Sequence, residues 1–486
     1  GHDAAEGGGG GGGAGGSLWL NVTGTLRGNG TISVAGGDGD GHEGAVNGTD
    51  RPYGGGGSGG RIAIYHNDQV ATAASDDVFG AFGGTLTATG GRHLARSIPL
   101  AGVRRPSGDA RVDAGAQAAF VGEAPAGTVF VRGGDASFIA VMSSGAHPVS
   151  GASDLSATNA SEALGGAVAL ELELSRILVG GGASLEIGAN VSITTGLVEA
   201  PDTAPGKGGT STVVFTEGSA LVFGLKSALD VRGHLLTVIR GDVRGSTRAN
   251  LTIANSSVVE MAVPLALRAL KIEARAAMVG RSLDLEVSGG VIIAESASLN
   301  VDGRGAPGGS PGYDNATGLG PGGSGSLGGS GGGHGGRGLS GISALEMEAL
   351  VDYSYNNQSV GGNDVAAAAF ASSGGGSYGD AFSPTTWGSG GGAGHKFGET
   401  GGAGGGAMRL VVGGVLRVDG AISANGEATL GGGGGGSGGS VWVEYVELQG
   451  NGSISANGGA AASDVRHYGS TDGSNGGGGG GGGRVA

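Results

Sequence analysis

Ten asparagines in this 486-residue chain begin the triplet Asn-x-Ser/Thr, without proline at x, which is the acceptor for N-linked glycans. They are Asn21, Asn29, Asn47, Asn159, Asn190, Asn250, Asn255, Asn315, Asn357 and Asn451. The chain has 17 asparagines and about 15% serine plus threonine, so chance predicts about two or three such triplets. Asn-Gly-Thr/Ser turns explain some of the excess, as at Asn29 and Asn451, but not ten sites. We therefore expect a secreted N-glycoprotein with acceptors on exposed turns.

A second group of reactive side chains lies in GGDGDGHEG, which brings Asp38, Asp40, His42 and Glu43 together. Carboxylates at this spacing could bind Ca²⁺ or serve as an acid/base pair. Repeated calcium-binding nonapeptides require an apolar position and regular repetition, and this segment has neither. The corresponding segment near the end of the chain, AAASDVRHYGSTDG, does not preserve the cluster. Asp38 and Asp40 are thus a weak calcium candidate, and a solvated acidic turn is the favoured interpretation.

The remaining candidates for catalysis are sparse. The nine histidines are scattered without metal-ligand spacing, and the absence of cysteine excludes thiol chemistry and disulfides. We therefore expect no catalytic residue, no metal centre and no cofactor other than attached glycans, and we expect that the protein is not an enzyme.

Glycine dominates the composition, and this raises the question of how the chain becomes ordered. The 119 glycines and 12 prolines make up about 27% of the chain, a proportion typical of disorder. However, 38% of the residues are hydrophobic, and they occur in strand-like runs. Because fixing glycine costs more backbone entropy than fixing any other residue, we expect extensive backbone hydrogen bonding between stacked strands.

Internal repeats are the main signal for the fold. Four segments consist of an alternating strand, a polar or glycine break and a second strand. They read SLWLNVTGTLRGNGTISVAGG from Ser17, SLDLEVSGGVIIAESASLNVDGRG from Ser282, AMRLVVGGVLRVDGAISANGEA from Ala407 and SVWVEYVELQGNGSISANGG from Ser440. The alternation predicts one inward and one outward row in each strand. Predicted inward are Leu18, Leu20, Val22, Val441, Val443 and Tyr445, and predicted outward are Trp19, Asn21, Trp442 and Glu444.

Shorter strands recur about every ten residues through 168–261, with almost no helical periodicity. This rhythm favours an all-β fold, a right-handed parallel β-helix (β-solenoid) with long glycine-rich loops. A sandwich of hairpins is the alternative. The expected divisions are 1–89, a glycine-rich solenoid module; 90–165, an irregular β segment; 166–302, regular coils; 303–406, glycine-rich insertions; and 407–486, a second module that ends within a repeat.

Glycine-rich segments at 37–60, 303–341, 373–407, 427–439 and 458–483 separate the strands. We expect them to be loops leaving the coils, some of them packed as extended, polyproline-II-like glycine strands. A short helix is predicted at 342–351, ISALEMEALV.

The first and last modules share one spacing, because Arg61 follows Ser17, and Arg484 follows Ser440, by 44 residues. The chain opens without methionine and stops within a module, so we expect either a piece of a longer array or an end that a second copy completes. Uncapped solenoid ends stack head to tail into filaments.

Charge and hydropathy exclude two classes of partner. The net charge of −15 and the 27 basic residues disfavour nucleic acid, which requires a concentrated cationic face. The longest apolar region, at 258–278, contains six charged or proline residues, so we expect no membrane span.

The phrase G-G-S-G-G-S-φ-W-φ…G-N-G-S/T-I-S-A-N-G-G, where φ is apolar, resembles glycine-rich β-helix repeats in large secreted surface proteins of algae and other protists. The four repeat segments that carry this resemblance make up roughly a fifth of the chain. The resemblance implies a structural, self-associating subunit of an extracellular filament or surface coat, such as a mastigoneme on a flagellum. A polysaccharide-modifying β-helix enzyme and a surface adhesin are the alternatives.

Overall fold

The structure is a computed structural model. It describes residues 11–23, 28–39, 54–66, 85–95, 119–133, 136–143, 152–155, 169–201, 210–223, 228–310, 316–322, 324, 329–340, 373–394, 400–429, 432–461 and 477–486. The chain divides into two compact units, Gly1–Arg244 and Gly245–Ala486. The helix predicted at 342–351 lies outside the described residues.

The strands of the first unit are short. They are β1 Ser17–Val22, β2 Thr31–Ser33, β3 Arg61–His66, β4 Thr85–Thr87, β5 Arg92–Ala95, β6 Ala119–Glu123, β7 Thr128–Gly133, β8 Ala136–Met142, β9 Ser153–Leu155, β10 Leu170–Leu174, β11 Arg176–Gly180, β12 Ser184–Ile187, β13 Val191–Thr195, β14 Leu197–Glu199, β15 Ser211–Phe215, β16 Ala220–Phe223, β17 Ala228–Arg232, β18 Leu235–Ile239 and β19 Asp242–Arg244.

The second unit begins with a single 3₁₀ turn, Ser246–Arg248. Its strands are β20 Asn250–Ile253, β21 Val258–Met261, β22 Leu265–Leu267, β23 Ala269–Ile272, β24 Ala277–Gly280, β25 Ser282–Val287, β26 Val291–Ile293, β27 Ser298–Asn300, β28 Ala407–Val418, β29 Ala421–Ser423, β30 Ser440–Gln449, β31 Ser453–Ser455 and β32 Arg484–Val485.

Strands that are three apart in sequence pair in parallel, so each unit is built from coils of three strands. In the first unit the ladders are β8–β11–β14–β17, β9–β12–β15–β18 and β10–β13–β16–β19. In the second unit the first sheet is β20–β23–β26–β28–β30, the second is β21–β24–β27–β29–β31 and the third is β22–β25–β28–β30–β32. The strands β28 and β30 are long enough to bend from the third sheet into the first. The predicted all-β parallel solenoid is confirmed.

One coil of the second unit takes 19 residues from Asn250 to Ala269 and 21 residues from Leu270 to Val291. Equivalent positions therefore stack, and inward side chains form continuous ladders. One such ladder joins Leu265, Leu285, Leu410 and Val443 of the third sheet. The first three members are buried, and Leu285 and Leu410 each have a neighbouring rung on both sides.

The corner between the first and second sheets of the second unit repeats from coil to coil. Its turns close with hydrogen bonds from Ser257 N to Ala254 O, Ala276 N to Glu273 O and Ala297 N to Ala294 O. In these turns Ser256, Arg275 and Ser296 adopt φ of 64°, 64° and 63°, a left-handed conformation that is uncommon for residues with side chains. These corners therefore hold non-glycine residues in a conformation that glycine adopts more readily.

The first unit differs in its opening coils. Here β1, β3 and β7 pair in parallel, β2 pairs with β4, and β5–β6 and β7–β8 are antiparallel. Its core contains Ile62, Ile64, Val129, Val131 and Phe138, all buried. The antiparallel pairs fall within 90–165, the segment predicted to be irregular.

The register also tests the predicted spacing and side-chain rows. Ser17 pairs with Arg61 and Ser440 with Arg484, which confirms the 44-residue spacing of both modules. Leu18, Leu20 and Val22 lie on the more buried side of β1, and Trp19 and Asn21 on the exposed side, as predicted.

The register keeps Tyr445 in the predicted inward row of β30, but the residue is not buried. It shares a register position with buried Val412, yet its side chain is 48% exposed. Burial fades along β30, because β32 pairs only with Ser440 and Val441. An inward direction is therefore not sufficient for burial when no described strand covers the residue.

Candidate functional sites: a glycine lattice, outer faces and glycan acceptors

Glycine-rich segments occupy one position in each of the last three coils, between the second-sheet and third-sheet strands. They follow β27, β29 and β31 and precede β28, β30 and β32. We call the described parts the glycine lattice: 303–310, 316–322, 329–340, 373–394, 400–406, 424–429, 432–439, 456–461 and 477–483. Because the insertions share one position, they stack on one another as the strands do.

Hydrogen bonds within the lattice repeat every third residue. Successive amides along 432–439 donate to three different segments in turn, over 2.7–3.1 Å. The pairs are Gly434 to Gly392, Gly435 to Gly478, Gly436 to Glu427, Ser437 to Ser389, Gly438 to Gly481 and Gly439 to Ala424. A three-residue repeat is that of a polyproline-II helix, whose amides point outward on three sides. A β-strand bonds only within its sheet, so the lattice extends hydrogen bonding in more directions than a sheet does.

The close approach of these segments explains their composition. A Cβ added to Gly434, Gly435 or Gly436 would overlap the carbonyl oxygen of Ser330, Gly459 or Ala403, respectively. Those oxygens belong to the backbone and cannot turn away as a flexible side chain could. The prediction of packed, polyproline-II-like glycine strands therefore describes this region better than loops leaving the coil.

The first unit uses the same hydrogen-bonding pattern at its own glycine segments. Gly12 N donates to Gly55 O, Gly15 N to Ser58 O and Gly37 N to Gly13 O. The second unit repeats these bonds at equivalent positions, which are Gly435 to Gly478, Gly438 to Gly481 and Gly459 to Gly436. The two modules are thus repeats in their backbone contacts as well as in sequence.

A polar cluster is embedded in the lattice around His334, which is fully buried. Its Nε2 lies 2.8 Å from Thr386 Oγ1, and its ring packs edge-on against Tyr378 at a centroid distance of 4.7 Å. The Tyr378 hydroxyl lies 2.7 Å from Ser389 Oγ, and Arg484 donates to the Tyr378 carbonyl. The cluster joins three separate segments of the chain.

Burial controls the ionisation of this cluster. The low polarity around the His334 ring, assisted by the positive charge of Arg484, lowers the pKa of His334 from 6.5 to about 4. Burial likewise raises the pKa of Tyr378. Both groups are neutral at neutral pH, so the cluster stabilises the lattice through neutral hydrogen bonds.

The outer face of the third sheet carries a charged and aromatic ladder. Asp284, Arg409 and Trp442 occupy one register row. Arg409 donates to Asp284 and Glu286 over 2.9 Å each, and its guanidinium lies 5.4 Å from the centre of the Trp442 ring. Both carboxylates share the single positive charge of the arginine between them.

A shallow depression of about 560 Å³ lies on the outer face of the first sheet of the second unit. The residues that line it include the small Ala269 and Gly290 as well as Lys271, Ile292 and Arg417. Both of these cations already bind carboxylates, over 2.7 Å to Glu273 and 2.6 Å to Asp419. The depression is open and mixed in polarity, with its charges internally paired.

Six of the ten predicted glycan acceptors lie in the described residues. Asn21, Asn29, Asn190, Asn255 and Asn451 are exposed, and Asn250 is half-buried. Asn250 also accepts a hydrogen bond from Arg268 Nε over 3.0 Å. Asn190 and Asn255 lie on turns with φ of 63° and 54°, whereas Asn21 lies within a strand. Asn47, Asn159, Asn315 and Asn357 lie outside the described residues.

Of the two residues of the calcium candidate, the structure describes Asp38. Asp38 Oδ1 accepts a hydrogen bond from the amide of Arg92 over 2.7 Å, so it fastens one glycine segment to β5. Asp40, with His42 and Glu43, lies outside the described residues. Among the residues that the structure describes, no three His, Asp or Glu side chains are grouped so that they could hold a metal ion.

Sequence reasoning missed the cluster around His334 and the Arg409 ladder. His334 lies in the glycine-rich sequence GGGHGG, and no local pattern marks Thr386 or Tyr378 as its partners. The ladder had a signal, because Arg409 and Trp442 occupy equivalent positions in aligned repeats.

No described helix has the length and apolar character needed to cross a membrane. Comparison of the chain with protein-family models, curated proteins and solved structures finds no match.

Proposed function

We propose that this protein is a structural subunit of an extracellular, N-glycosylated filament or surface coat. The observation that carries the proposal is the glycine lattice, in which hydrogen bonds run to neighbours on three sides. In this arrangement the glycine-rich segments that the structure describes form close backbone contacts rather than the lining of a pocket. It suits a protein whose task is to be stiff.

The coil architecture supports the same role. In the regular coils, each strand bonds to the equivalent strand of the next coil, so a force along those coils is shared among many parallel backbone hydrogen bonds. Exposed acceptors such as Asn190, Asn255 and Asn451 would place glycans around the stack. Stiff coils under a coat of glycans are what the proposed role in an extracellular filament requires.

The charges favour this proposal over a polysaccharide-modifying enzyme. Catalytic carboxylates usually have pKa values shifted by burial or by a nearby like charge. Here Asp284 and Glu286 bind Arg409, and Asp419 binds Arg417, which lowers the pKa of Asp419. Carboxylates held in this way serve as links across the surface.

Self-association would use strand edges. The outer half of β30 exposes Tyr445, Val446 and Leu448, and described β32 pairs only with its first two residues. Unpaired strand edges with apolar side chains accept further strands. We infer that a further coil docks here, and that head-to-tail stacking of this kind builds the filament.

Electron microscopy of the protein secreted from glycosylating cells tests the proposal. We expect filaments or a regular coat, which Val446→Lys should shorten or abolish because a charge on the edge opposes strand addition. The matched control is Ile292→Lys, an equally apolar exposed residue away from that edge. Particles that stay monomeric at every concentration would overturn the proposal, and cleavage of a polysaccharide or selective binding on a glycan array would replace it with the enzyme or the adhesin.

A further inference from the structure

Three aromatic rings form a cluster on the outer face of the first unit. The ring centres of Trp19 and Tyr65 are 6.3 Å apart with an interplanar angle of 79°, and those of Tyr65 and Phe130 are 5.7 Å apart at 59°. Trp19 is 73% exposed, although burying a tryptophan contributes more than burying most side chains. We call Trp19, Tyr65 and Phe130 the aromatic cluster.

The strand register gives the cluster its shape. Trp19, Ala63 and Phe130 share one row across β1, β3 and β7, and Asn21, Tyr65 and Arg132 share the next. Because Ala63 is small, it leaves a shallow step between the two large rings of its row. Tyr65 borders this step and faces Asn21 directly across the strand pair.

Asn21 is the predicted glycan acceptor that belongs to this face. Residues two apart in a strand point to the same side, so Trp19 and Asn21 both lie on the outer face. Neighbouring strands are about 4.8 Å apart and alternate residues about 7 Å apart, distances comparable to one sugar ring. A sugar attached to Asn21 would therefore lie within reach of both Tyr65 and Trp19.

We propose that the aromatic cluster is the docking platform for the first sugar of an N-linked glycan carried by Asn21. The inference rests on the proposed function, since it requires a glycosylated protein. In the attachment step, the side-chain amide nitrogen of Asn21 bonds to the anomeric carbon of a pyrophosphate-activated oligosaccharide. The pyrophosphate leaves with the electrons of the broken C–O bond, and the amide proton passes to a base of the transferase.

Ring electrostatics explain the attraction. The face of an aromatic ring is negative, and the C–H groups on one side of a sugar ring are weakly positive and apolar. Stacking would cover part of the exposed Trp19 while the sugar hydroxyls stay in water. Arg132, exposed at the far end of the Asn21 row, would be available to donate to those hydroxyls.

The other described acceptors lack this arrangement. The residues two positions before the other five acceptors are not aromatic, whereas Trp19 stands before Asn21. They are Arg27, Gly188, Arg248, Ile253 and Gln449, before Asn29, Asn190, Asn250, Asn255 and Asn451. Asn451 is the best control because it is exposed and follows β30 directly. Its glycan should extend into water without an aromatic partner.

The test uses the whole protein, secreted from glycosylating cells with 5-fluorotryptophan in place of tryptophan. The chain has three tryptophans, so ¹⁹F NMR gives three signals, and Trp19→Phe identifies the one from Trp19. We expect Asn21→Gln to shift the Trp19 signal. We also expect a soluble paramagnet to broaden that signal about twofold more than in the wild type, because loss of the glycan restores the 73% exposure of Trp19. Asn451→Gln should leave that signal unchanged.

Tyr65→Ala provides a second variant that keeps the acceptor. It should leave Asn21 glycosylated, as glycopeptide mass spectrometry will show, but raise the mobility and exposure of Trp19. A Trp19 signal identical in the wild type and in Asn21→Gln would overturn the inference.

Occupancy separates this inference from the proposed function. If Asn21 is bare while Asn190 or Asn451 is occupied, the inference falls and the glycoprotein proposal stands. If no acceptor is occupied, both fall. If Trp19 responds to the glycan but no filament forms, the inference stands and the filament proposal falls.

Discussion

The regular coils at 250–300 and the glycine lattice of the same unit are ordered by opposite means. In the coils, side chains such as Leu285 and Ile293 are fully buried and stack in ladders. In the lattice, Gly434 and Gly436 approach other backbones so closely that a Cβ would overlap a carbonyl oxygen. The stability of the coils depends on the volume of buried side chains, and the stability of the lattice depends on the absence of side chains.

This difference predicts which errors each region tolerates. A coil core resists the removal of atoms, since an unfilled cavity loses both apolar burial and packing. The lattice resists the addition of atoms, because its neighbours are backbone groups that are themselves hydrogen-bonded.

The largest effect should come from Gly434→Ala, Gly435→Ala and Gly436→Ala combined. Their added methyl groups would press on three different segments, at Ser330, Gly459 and Ala403. We expect a loss of about 3–9 kcal/mol from overpacking, enough to unfold the lattice. Urea unfolding of the second unit, followed by hydrogen exchange at lattice amides, measures the loss.

Two glycines of the same lattice provide the control for that triple variant. A Cβ at Gly376 or Gly482 would meet nothing within 4 Å. Gly376→Ala and Gly482→Ala should therefore change stability by less than about 1 kcal/mol. Equal losses of stability in the triple variant and in these two controls would show that the lattice responds to its glycine content and not to the close backbone contacts at Gly434, Gly435 and Gly436.

Leu285→Ala makes the complementary change in the coils. Leu285 is fully buried between Leu265 and Leu410, so truncation should cost about 2–5 kcal/mol through the cavity it leaves. Leu285→Met keeps the volume and should cost less than about 1.5 kcal/mol. The urea midpoints of the two variants measure these losses. Similar midpoints for both would contradict the view that the core is stabilised by the volume of its side chains.

The coils were more predictable from sequence than the lattice. Alternation placed Leu18 and Leu20 on one side of β1 and Trp19 on the other, because a strand has a period of two. The 44-residue spacing similarly located the pairs Ser17–Arg61 and Ser440–Arg484. The side chains of a strand predict the side to which each residue points and the pairing of the strand, so both can be predicted wherever the strand has side chains.

The lattice lacks that information. Gly434 donates to Gly392, 42 residues earlier, but nothing in a run of glycines distinguishes this partner from any other. For the same reason, the cluster of His334, Thr386 and Tyr378 could not be assembled from sequence. Close packing of glycine strands was predictable as a class of structure, whereas the pairing depends on the position of whole segments.

The glycine run near the end of the chain shows the practical consequence. From the sequence alone, the run Gly431–Gly436 is as compatible with a contact between subunits as with packing inside one subunit. The described residues of that run, Gly432–Gly436, bond and pack within the chain itself. Their replacement should therefore affect the folded subunit first, and assembly only as a result.

Acid should weaken the lattice through His334 more than it weakens the coils. The pKa of His334 is about 4 in the folded protein and 6.5 as its ordinary value, so the unfolded chain binds the proton more readily. Stability is therefore full above pH 6.5, falls as the pH drops towards 4, and then levels off. The 2.5-unit difference corresponds to about 3 kcal/mol.

Urea unfolding of the second unit between pH 7 and 4 measures this slope. His334→Gln should flatten it, because glutamine fits a similar space and does not titrate. His234→Gln, at an exposed position in the first unit, is the control and should leave the slope unchanged. A slope that persists in His334→Gln would assign the acid sensitivity to another group.

The smallest effect should come from the outer ladder of the third sheet. Arg409 binds Asp284 and Glu286 over 2.9 Å, and the hydrogen bond to Glu286, followed by the one to Asp284, raises the pKa of Arg409. All three side chains are partly exposed, with 31%, 45% and 60% of their surface accessible. Exposed ion pairs contribute about 0–1 kcal/mol, because water and salt screen them.

Arg409→Gln should therefore cost less than about 1 kcal/mol in dilute buffer, and still less in 1 M salt. Some of the loss should survive the salt, because the guanidinium also packs against Trp442, 5.4 Å from the ring centre. Trp442→Leu combined with Arg409→Gln isolates that contact in a double-mutant cycle. If Arg409→Gln lowered the free energy of unfolding as much as Leu285→Ala does, the outer face would stabilise the coils as much as the core does. The contrast between coils that depend on side-chain volume and a lattice that depends on backbone contacts would then not account for the stability of this unit.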